Sequence, residues 1–299
     1  MNDITAKPDK APLASELIAD LIELLEVERL DRDLYRGRRK KGGVGRVFGG
    51  QVIAQALMAA SLSIEDEKAM HSLHAYFMRP GDENLPIIFR VERDFDGGSF
   101  ANRRVIAMQN GKPILNLTSS FQRKEEGLSH MAPMPQVPPP DNLTSLLELA
   151  QKYEDVLPPD ARDFMKRPSA IELRPVTALP FLPGEKRDPA NQCWFRAVAP
   201  VRDDPRLHRV MLAHASDMVL LSTSLLPHGI NWVTHKIQTA SLDHALWFHE
   251  DVRIDDWLLY VTDSPWAGHA RGFNRGSIYT REGKLIASVA QEGLIRIRN

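Results

Sequence analysis

The feature that most constrains this chain is an internal repeat in which a run of strand-like segments occurs twice. Three groups of residues recur at an offset of 172 positions: Asn102-Arg103 as Asn274-Arg275, Ile106 as Ile278, and Gly111-Lys112 as Gly283-Lys284. Upstream of them, Tyr76-Phe77 recurs as Trp247-Phe248 at an offset of 171. Order and spacing agree across the whole unit, which favours a true repeat over chance similarity between strands. The chain is therefore predicted to fold as two copies of one unit.

Each copy is predicted to start with a buried helix. Residues 51–60, QVIAQALMAA, are apolar or small on nearly every side, a pattern typical of a helix that is covered all round. We place its counterpart at residues 217–226, DMVLLSTSLL, at an offset of 166 and with an end at Pro227. The two helices, expected near 49–62 and 213–226, are predicted to pack beside one another under a continuous antiparallel sheet.

Strand-like segments follow the first helix. They are HSLHAYFMRP, LPIIFRVERDFDGG, SFANRRVIAMQNG and KPILNLTSSFQ, and they are separated by Pro80-Gly81, Gly97-Gly98 and Asn110-Gly111. An Asn-Gly pair between two such segments is a strong signal for a tight hairpin. A long helix followed by antiparallel strands with short turns is typical of an α+β fold, and the sheet is expected to curl round the helix.

A proline-rich stretch separates the two copies. Residues 130–142, HMAPMPQVPPPDN, contain five prolines and no periodicity, which is typical of a linker between domains. We therefore predict a first domain over 12–125, a linker containing a helix over 126–165, and a second domain over 166–299.

The N-terminal region is predicted to carry a helix and a basic loop. Residues 1–11 are predicted to be disordered, and leucines at helical spacing predict an amphipathic helix from Pro12 to about Glu28. The glycine-rich segment that follows, RGRRKKGGVGR, is favoured as a solvated loop, with contact to ligand phosphates as the alternative.

Charge and composition limit the functional classes. The formal net charge is -1 and the pI is about 6.8, so no overall field attracts the chain to nucleic acid or to an anionic membrane. The single cysteine, Cys193, excludes an internal disulfide framework and a cysteine zinc site. The sequence has no signal peptide, uninterrupted apolar span, Walker A motif or dinucleotide-type glycine loop. We therefore predict a cytoplasmic protein without a metal or bound cofactor.

Three polar residues are the candidates for chemistry. Asp217 opens the predicted second helix, Ser241 begins the strand-like SLDHALWFH, and Gln291 lies in SVAQEG. A carboxylate, a hydroxyl and an amide that converge from a helix and two strands are able to hold and polarise a water molecule. Taken singly, each has an ordinary alternative: a helix cap, a strand serine and a surface amide. Three histidines match no standard zinc spacing and are favoured as structural or groove-lining: His74, His244 and His249.

Several stretches together resemble the type II acyl-CoA thioesterase family: RVFGGQVIAQAL, HSLHAYFMRPGD, ASDMVLL, ASLDHALWFH and ARGFNRGSIYTREGKLIASVAQEG. The resemblance extends from about residue 17 to the end of the chain, and the order of the motifs is highly specific. It implies a double hotdog fold, an acyl-CoA substrate and self-association into homo-oligomers. It also implies that Asp217, Ser241 and Gln291 order a water that attacks the thioester.

The reaction that the resemblance implies needs further groups around the substrate. A developing oxyanion requires hydrogen-bond donors, and Gly49-Gly50 before the first buried helix would let the thioester approach backbone N–H groups. Close backbone packing is the alternative for these glycines, and His74 is a further candidate for substrate binding. The alternative functions are a hotdog enoyl-CoA hydratase or dehydratase and a noncatalytic acyl-CoA binding module.

Overall fold

The computed structural model describes residues 12–40, 43, 45–65, 67–157, 162, 166–176, 186–232 and 235–298, so the predicted disorder of residues 1–11 lies outside it. Four described α-helices are labelled α1 (Ala14–Leu25), α2 (Gly49–Leu62), α3 (Leu146–Lys152) and α4 (Pro205–Ser216). The strands of the first half are β1 (Val27–Asp31), β2 (Leu34–Gly37), β3 (Ala69–Phe77), β4 (Ile87–Asp96), β5 (Phe100–Gln109) and β6 (Lys112–Gln122). Those of the second half are β7 (Ile171–Pro175), β8 (Ala190–Ala197), β9 (Ile237–Ser241), β10 (Asp243–Phe248), β11 (Leu258–Gly268), β12 (Arg271–Thr280) and β13 (Leu285–Ile297).

All the strands belong to one 13-stranded sheet, ordered β1-β2-β4-β5-β6-β3-β10-β13-β12-β11-β8-β7, with β9 also paired to β13. The pairings are antiparallel. Buried residues of α2, α4 and the facing side of the sheet form one hydrophobic core across both halves. The structure thus confirms the predicted α+β fold, a double hotdog in which a continuous antiparallel sheet covers two central helices.

β3 and β10 lie side by side at the centre of the sheet and relate the two repeats. Tyr76 is opposite Asp243, and Ser72 is opposite Trp247. Exchanging the repeats at an offset of 171 converts one pair into the other, which is the pattern of a two-fold relation. The structure therefore confirms the repeat, and the offset between its two copies at the centre of the sheet is 171 residues.

The offset increases by one at the turn between the last two strands of the repeat. Arg103 and Asn274 both point into the core and are 171 positions apart, while their cross-strand partners, Ser119 and Gln291, are 172 apart. The added residue lies in the turn before Lys284, whose carbonyl accepts from the N–H of Thr280. Gly111-Lys112 was thus matched correctly, but the matches of Asn102-Arg103 and Ile106 at 172 were wrong by one position.

The predicted hairpins are present. Asn110 and Gly111 connect β5 to β6 with φ values of 49° and 71°, the left-handed conformation that a two-residue turn between twisted strands requires. Ser99 follows Gly97-Gly98 in the β4–β5 connection, where the N–H of Gly97 donates to the carbonyl of Phe100. The turns between β4 and β5 and between β5 and β6 therefore lie at the positions that these glycines predicted.

The second central helix lies before the position that the sequence predicted. It is α4, whose N-terminus is fixed by Asp204, because this carboxylate accepts from the N–H groups of Arg206 and Leu207 and is followed by Pro205. The run 217–226 is instead largely a 3-10 helix, Leu220–His228. Hydroxyl groups in this run bond back to carbonyls three residues earlier, and Pro227 lies within it, so an α-helical ladder is not sustained.

The two central helices pack against each other, as predicted, with the N-terminus of α2 beside the C-terminus of α4. At the crossing, a Cβ built on Gly50 would lie 2.4 Å from the carbonyl oxygen of His214. Only a residue without a side chain allows this approach. The resulting geometry brings the first turn of α2 next to Asp217, the C-cap of α4.

The segment between the repeats packs on the second half of the sheet. Met134, Val137 and Leu143 contact a cluster that includes Trp194, whose indole N–H donates to the carbonyl of Pro138 at 2.9 Å. The predicted helix of this segment is α3, and a capping box between Ser145 and Glu148 stabilises its N-terminus. The division into domains at 125 and 165 stays a prediction.

The N-terminal helix is shorter than predicted. α1 ends at Leu25, and β1 occupies residues 27–31, where the predicted helix continued to Glu28. In the basic segment, Arg36 lies in β2 and pairs with Glu28, and Arg38 pairs with Glu23. Residues 41, 42 and 44 lie outside the described part of the chain, so the solvated loop and the phosphate contact both stay predictions. The helical segment Pro205–His228 is long and apolar enough to cross a membrane. However, 56% of its most apolar 18-residue stretch is buried inside the fold, as is typical of a core helix in a soluble protein.

Candidate active site

The structure brings Asp217, Ser241 and Gln291 together. Asp217 follows α4, Ser241 ends β9 and Gln291 lies within β13, which pairs with β9 beside it. The amide nitrogen Nε2 of Gln291 is 2.5 Å from Asp217 Oδ1 and 3.1 Å from Ser241 Oγ. Ser241 Oγ is itself 3.3 Å from Asp217 Oδ1, to which it donates. The three side chains thus form one hydrogen-bonded cluster.

The N-terminus of α2 completes one side of this cluster. The backbone N–H of Gly50 donates a hydrogen bond to Asp217, and the positive end of the helix dipole favours the ionised carboxylate. A Cβ on Gly49 would lie 2.7 Å from Asp217 Oδ2, so a side chain there would displace the carboxylate. Both predicted glycines therefore lie at the cluster. Their contact with a substrate oxyanion stays a prediction.

His74 lies apart from the cluster. Its side chain is exposed and points away from the core, unlike its buried neighbours Leu73 and Ala75. It makes an edge-to-face contact with Trp247, with 5.1 Å between ring centroids. The structure therefore does not bring His74 together with Asp217, and its predicted role in substrate binding stays a prediction.

Burial sets the proton affinity of Asp217. Its side chain is 4% exposed, and desolvation raises its pKa from 3.8 to about 6. Hydrogen bonds from Gln291, Ser241 and Gly50 oppose this shift because they stabilise the ionised form. These donors are neutral. The carboxylate is therefore ionised at neutral pH and yet binds a proton readily, which is what a general base requires.

Two neighbouring histidines are held neutral. Burial lowers the pKa of His244 to about 3 and that of His214 to about 4. His244 Nδ1 is 3.2 Å from Gln291 Nε2, and its Nε2 is 2.9 Å from Ser216 Oγ. Tyr260 also reaches this region, donating to the carbonyl of Ser216 at 3.0 Å. The sequence placed His244 among structural or groove-lining histidines and did not connect it to Gln291.

The described residues of the first repeat form no equivalent cluster. The counterpart of Gln291 at the offset of 172 is Ser119. The counterpart of Asp217, the C-cap of α4, is Ser63, the C-cap of α2. Arg103 fills the space between the helix and sheet and donates to Ser63 Oγ at 2.8 Å. Arg103 also pairs with Asp96 at 2.6 Å. The first repeat therefore has two serines and an arginine–aspartate pair where the second repeat has Asp217 and Gln291.

Within the described residues, no group of three or more His, Cys, Asp or Glu side chains is arranged to hold a metal ion.

Comparison with known proteins identifies the family. The model of the acyl-CoA thioesterase family matches residues 160–294, and that of the acyl-CoA thioesterase N-terminal domain matches residues 38–122. The chain belongs to the type II acyl-CoA thioesterase family. Asp217, Ser241 and Gln291 all lie within the first of these matches.

Individual members of the thioesterase family match over nearly the whole chain. Human acyl-coenzyme A thioesterase 8 is 39% identical, over 92% of this chain and 88% of its own. Acyl-CoA thioesterase 2 of Haemophilus influenzae is 34% identical, over 94% and 99%. The crystal structure of acyl-CoA thioesterase II TesB2 from Mycobacterium marinum is 40% identical, with a TM-score of 0.76 over 93% and 98%. This thioesterase is accordingly a hydrolase of acyl-CoA thioesters.

Proposed function

We propose that the thioesterase hydrolyses acyl-CoA by a water molecule that Asp217 activates and that Ser241 and Gln291 hold. The observation that carries this proposal is the buried carboxylate, which accepts hydrogen bonds from a hydroxyl and an amide within 3.3 Å. A hydroxyl and an amide both donate and accept, so they are suited to fix a water in one orientation.

The chemical steps follow from these roles. The water oxygen attacks the thioester carbonyl carbon while one of its protons passes to Asp217, and a tetrahedral intermediate forms. The intermediate then expels the CoA thiolate, which takes the proton from Asp217, so that the carboxylate is regenerated and the acid is released. A thioester is reactive enough for a positioned water, and holding that water removes part of the entropic barrier. The self-association implied by the family resemblance stays a prediction.

The pH dependence of hydrolysis tests the role of the carboxylate. Because Asp217 must be ionised to accept a proton, kcat/KM is expected to be constant above about pH 7 and to fall tenfold per pH unit below about pH 6. The measurement is release of free thiol from acyl-CoA between pH 4.5 and 8.5, after incubation controls show that the protein stays folded. A rate that stays level down to pH 5 would exclude Asp217 as the base.

A further inference from the structure

We propose that His244 is a positioning residue that fixes the side-chain amide of Gln291 in the orientation needed to hold the attacking water. His244 is not assigned a contact with the reacting atoms. The inference rests on the proposed function, because orienting Gln291 matters to catalysis only if Gln291 holds the water.

Hydrogen-bond counting fixes the tautomer of His244. Ser216 Oγ has one hydrogen, and it donates this hydrogen to the carbonyl of Ala213 at 3.0 Å. At its 2.9 Å contact with His244 Nε2, the same oxygen must therefore accept. The histidine proton lies on Nε2, and Nδ1 carries a lone pair. The low pKa of this buried ring, about 3, keeps it in that neutral form.

The lone pair on Nδ1 helps to decide which way the Gln291 amide faces. Gln291 Nε2 lies 2.5 Å from Asp217 Oδ1, 3.1 Å from Ser241 Oγ and 3.2 Å from His244 Nδ1. The amide has two hydrogens to offer to these acceptors. If the amide were turned over, its oxygen would face the carboxylate and the Nδ1 lone pair, which are both acceptors. His244 and Asp217 together therefore exclude the turned orientation.

The orientation has a consequence for the water. Gln291 Oε1 points away from His244, is buried, and has no hydrogen-bond partner in the described part of the chain. An unpaired buried oxygen of this kind is costly, so it is suited to accept a hydrogen bond from the attacking water. The amide is then held at its nitrogen by protein acceptors and uses its oxygen for the water.

The fold itself does not require a histidine at this position. At the repeat offset of 171, the counterpart of His244 is Leu73, which is also fully buried and lies in the paired central strand. Among the described residues, a buried imidazole that makes two directed hydrogen bonds lies at this strand position only in the repeat that carries Asp217 and Gln291. This difference favours a task in the site over a task in packing.

Two matched substitutions separate positioning from packing. His244→Asn places an oxygen near the position of Nδ1 and keeps an acceptor for Gln291, whereas His244→Gln reaches Ser216 but has only carbon at that position. We expect His244→Gln to lower kcat by about 10-fold, the scale of one buried hydrogen bond. We expect His244→Asn to retain kcat within about 3-fold of the parent, on the same scale, and KM to change little in both. His244→Leu provides a second variant without the acceptor.

The experiment combines these variants with Gln291→Ala and measures thiol release and thermal unfolding for each. If His244 acts through Gln291, His244→Gln causes no further loss of kcat in the Gln291→Ala background. Equal losses in His244→Asn and His244→Gln, a more active His244→Gln, or a further loss in the Gln291→Ala background would overturn the inference while leaving the proposed function intact. Parent-like activity of Gln291→Ala would instead reject the role of Gln291, and the inference would fall with it.

Discussion

Asp217→Asn is expected to lower kcat for acyl-CoA hydrolysis by at least about 100-fold, the scale of a lost general base. Asparagine has nearly the same volume and still reaches Gln291 and Ser241, but it does not accept a proton from water. KM is expected to change little, because the carboxylate is assigned to the reacting water and not to binding CoA. Steady-state thiol release from the purified variant is the measurement, and near-parent turnover would show that Asp217 is not the base.

Thermal stability provides the control for Asp217→Asn, and the pKa of Asp217 determines the direction in which it should change. The pKa of Asp217 is raised from 3.8 to about 6, so the folded state favours the protonated form. Its contribution to stability is full below pH 4 and is lost as the pH rises through about 6. The shift corresponds to about 3 kcal/mol as an upper scale. Asp217→Asn is therefore expected to unfold at higher temperature than the parent at pH 8, with the difference shrinking near pH 4, so that lost activity is not lost folding.

Gly50→Ala is expected to destabilise the fold and to reduce hydrolysis together. The new methyl group would lie 2.4 Å from the carbonyl oxygen of His214 and 2.5 Å from the ring of Phe48, and the carbonyl belongs to the backbone of α4. Relief requires the two central helices to separate, at a cost of about 1–3 kcal/mol for an overpacked core. The separation also withdraws the Gly50 N–H from Asp217. Chemical denaturation and thiol release measure the two effects.

Gly98→Ala is the matched control for this substitution. Gly98 lies in the β4–β5 turn, and a Cβ there would have no atom within 4 Å. The free energy of unfolding of Gly98→Ala is expected to stay within about 0.5 kcal/mol of the parent value, as for most surface changes. The activity of this variant is expected to be unchanged. Equal stability of Gly50→Ala and Gly98→Ala would contradict the close crossing of α2 and α4.

The sequence predicted those parts of the fold that local signals determine. Asn110-Gly111 marked its hairpin correctly, because a two-residue turn between strands demands positive φ angles. Gly97-Gly98 also marked the β4–β5 turn, although neither glycine has a positive φ. The apolar run after Asp217 misled the prediction of the second helix, because hydrophobicity alone does not distinguish an α-helix from a buried 3-10 segment. The capping signal at Asp204-Pro205 was the better guide to where that helix begins.

The candidate site was also predicted only in part from the sequence. Its three candidate residues were nominated by motif, and the structure brings them within hydrogen-bonding distance of one another. The role inferred for His244 depends on a hydrogen that Ser216 gives to a carbonyl of its own helix, a relation that no sequence pattern displays. The sequence alone also did not determine the exact offset between the repeats, because one additional residue in a turn shifts every following position by one.

The central claim is that Asp217, Ser241 and Gln291 act on one water, and the kinetics of their combined substitutions test it most directly. Ser241→Ala and Gln291→Ala are each expected to lower kcat less than Asp217→Asn, because the base survives and the water is held more loosely. The losses are expected to be far from additive: the double variant should resemble Gln291→Ala alone, and neither change should slow Asp217→Asn appreciably further. Losses that multiply in every combination of folded variants would contradict the claim, because they would show three residues acting independently.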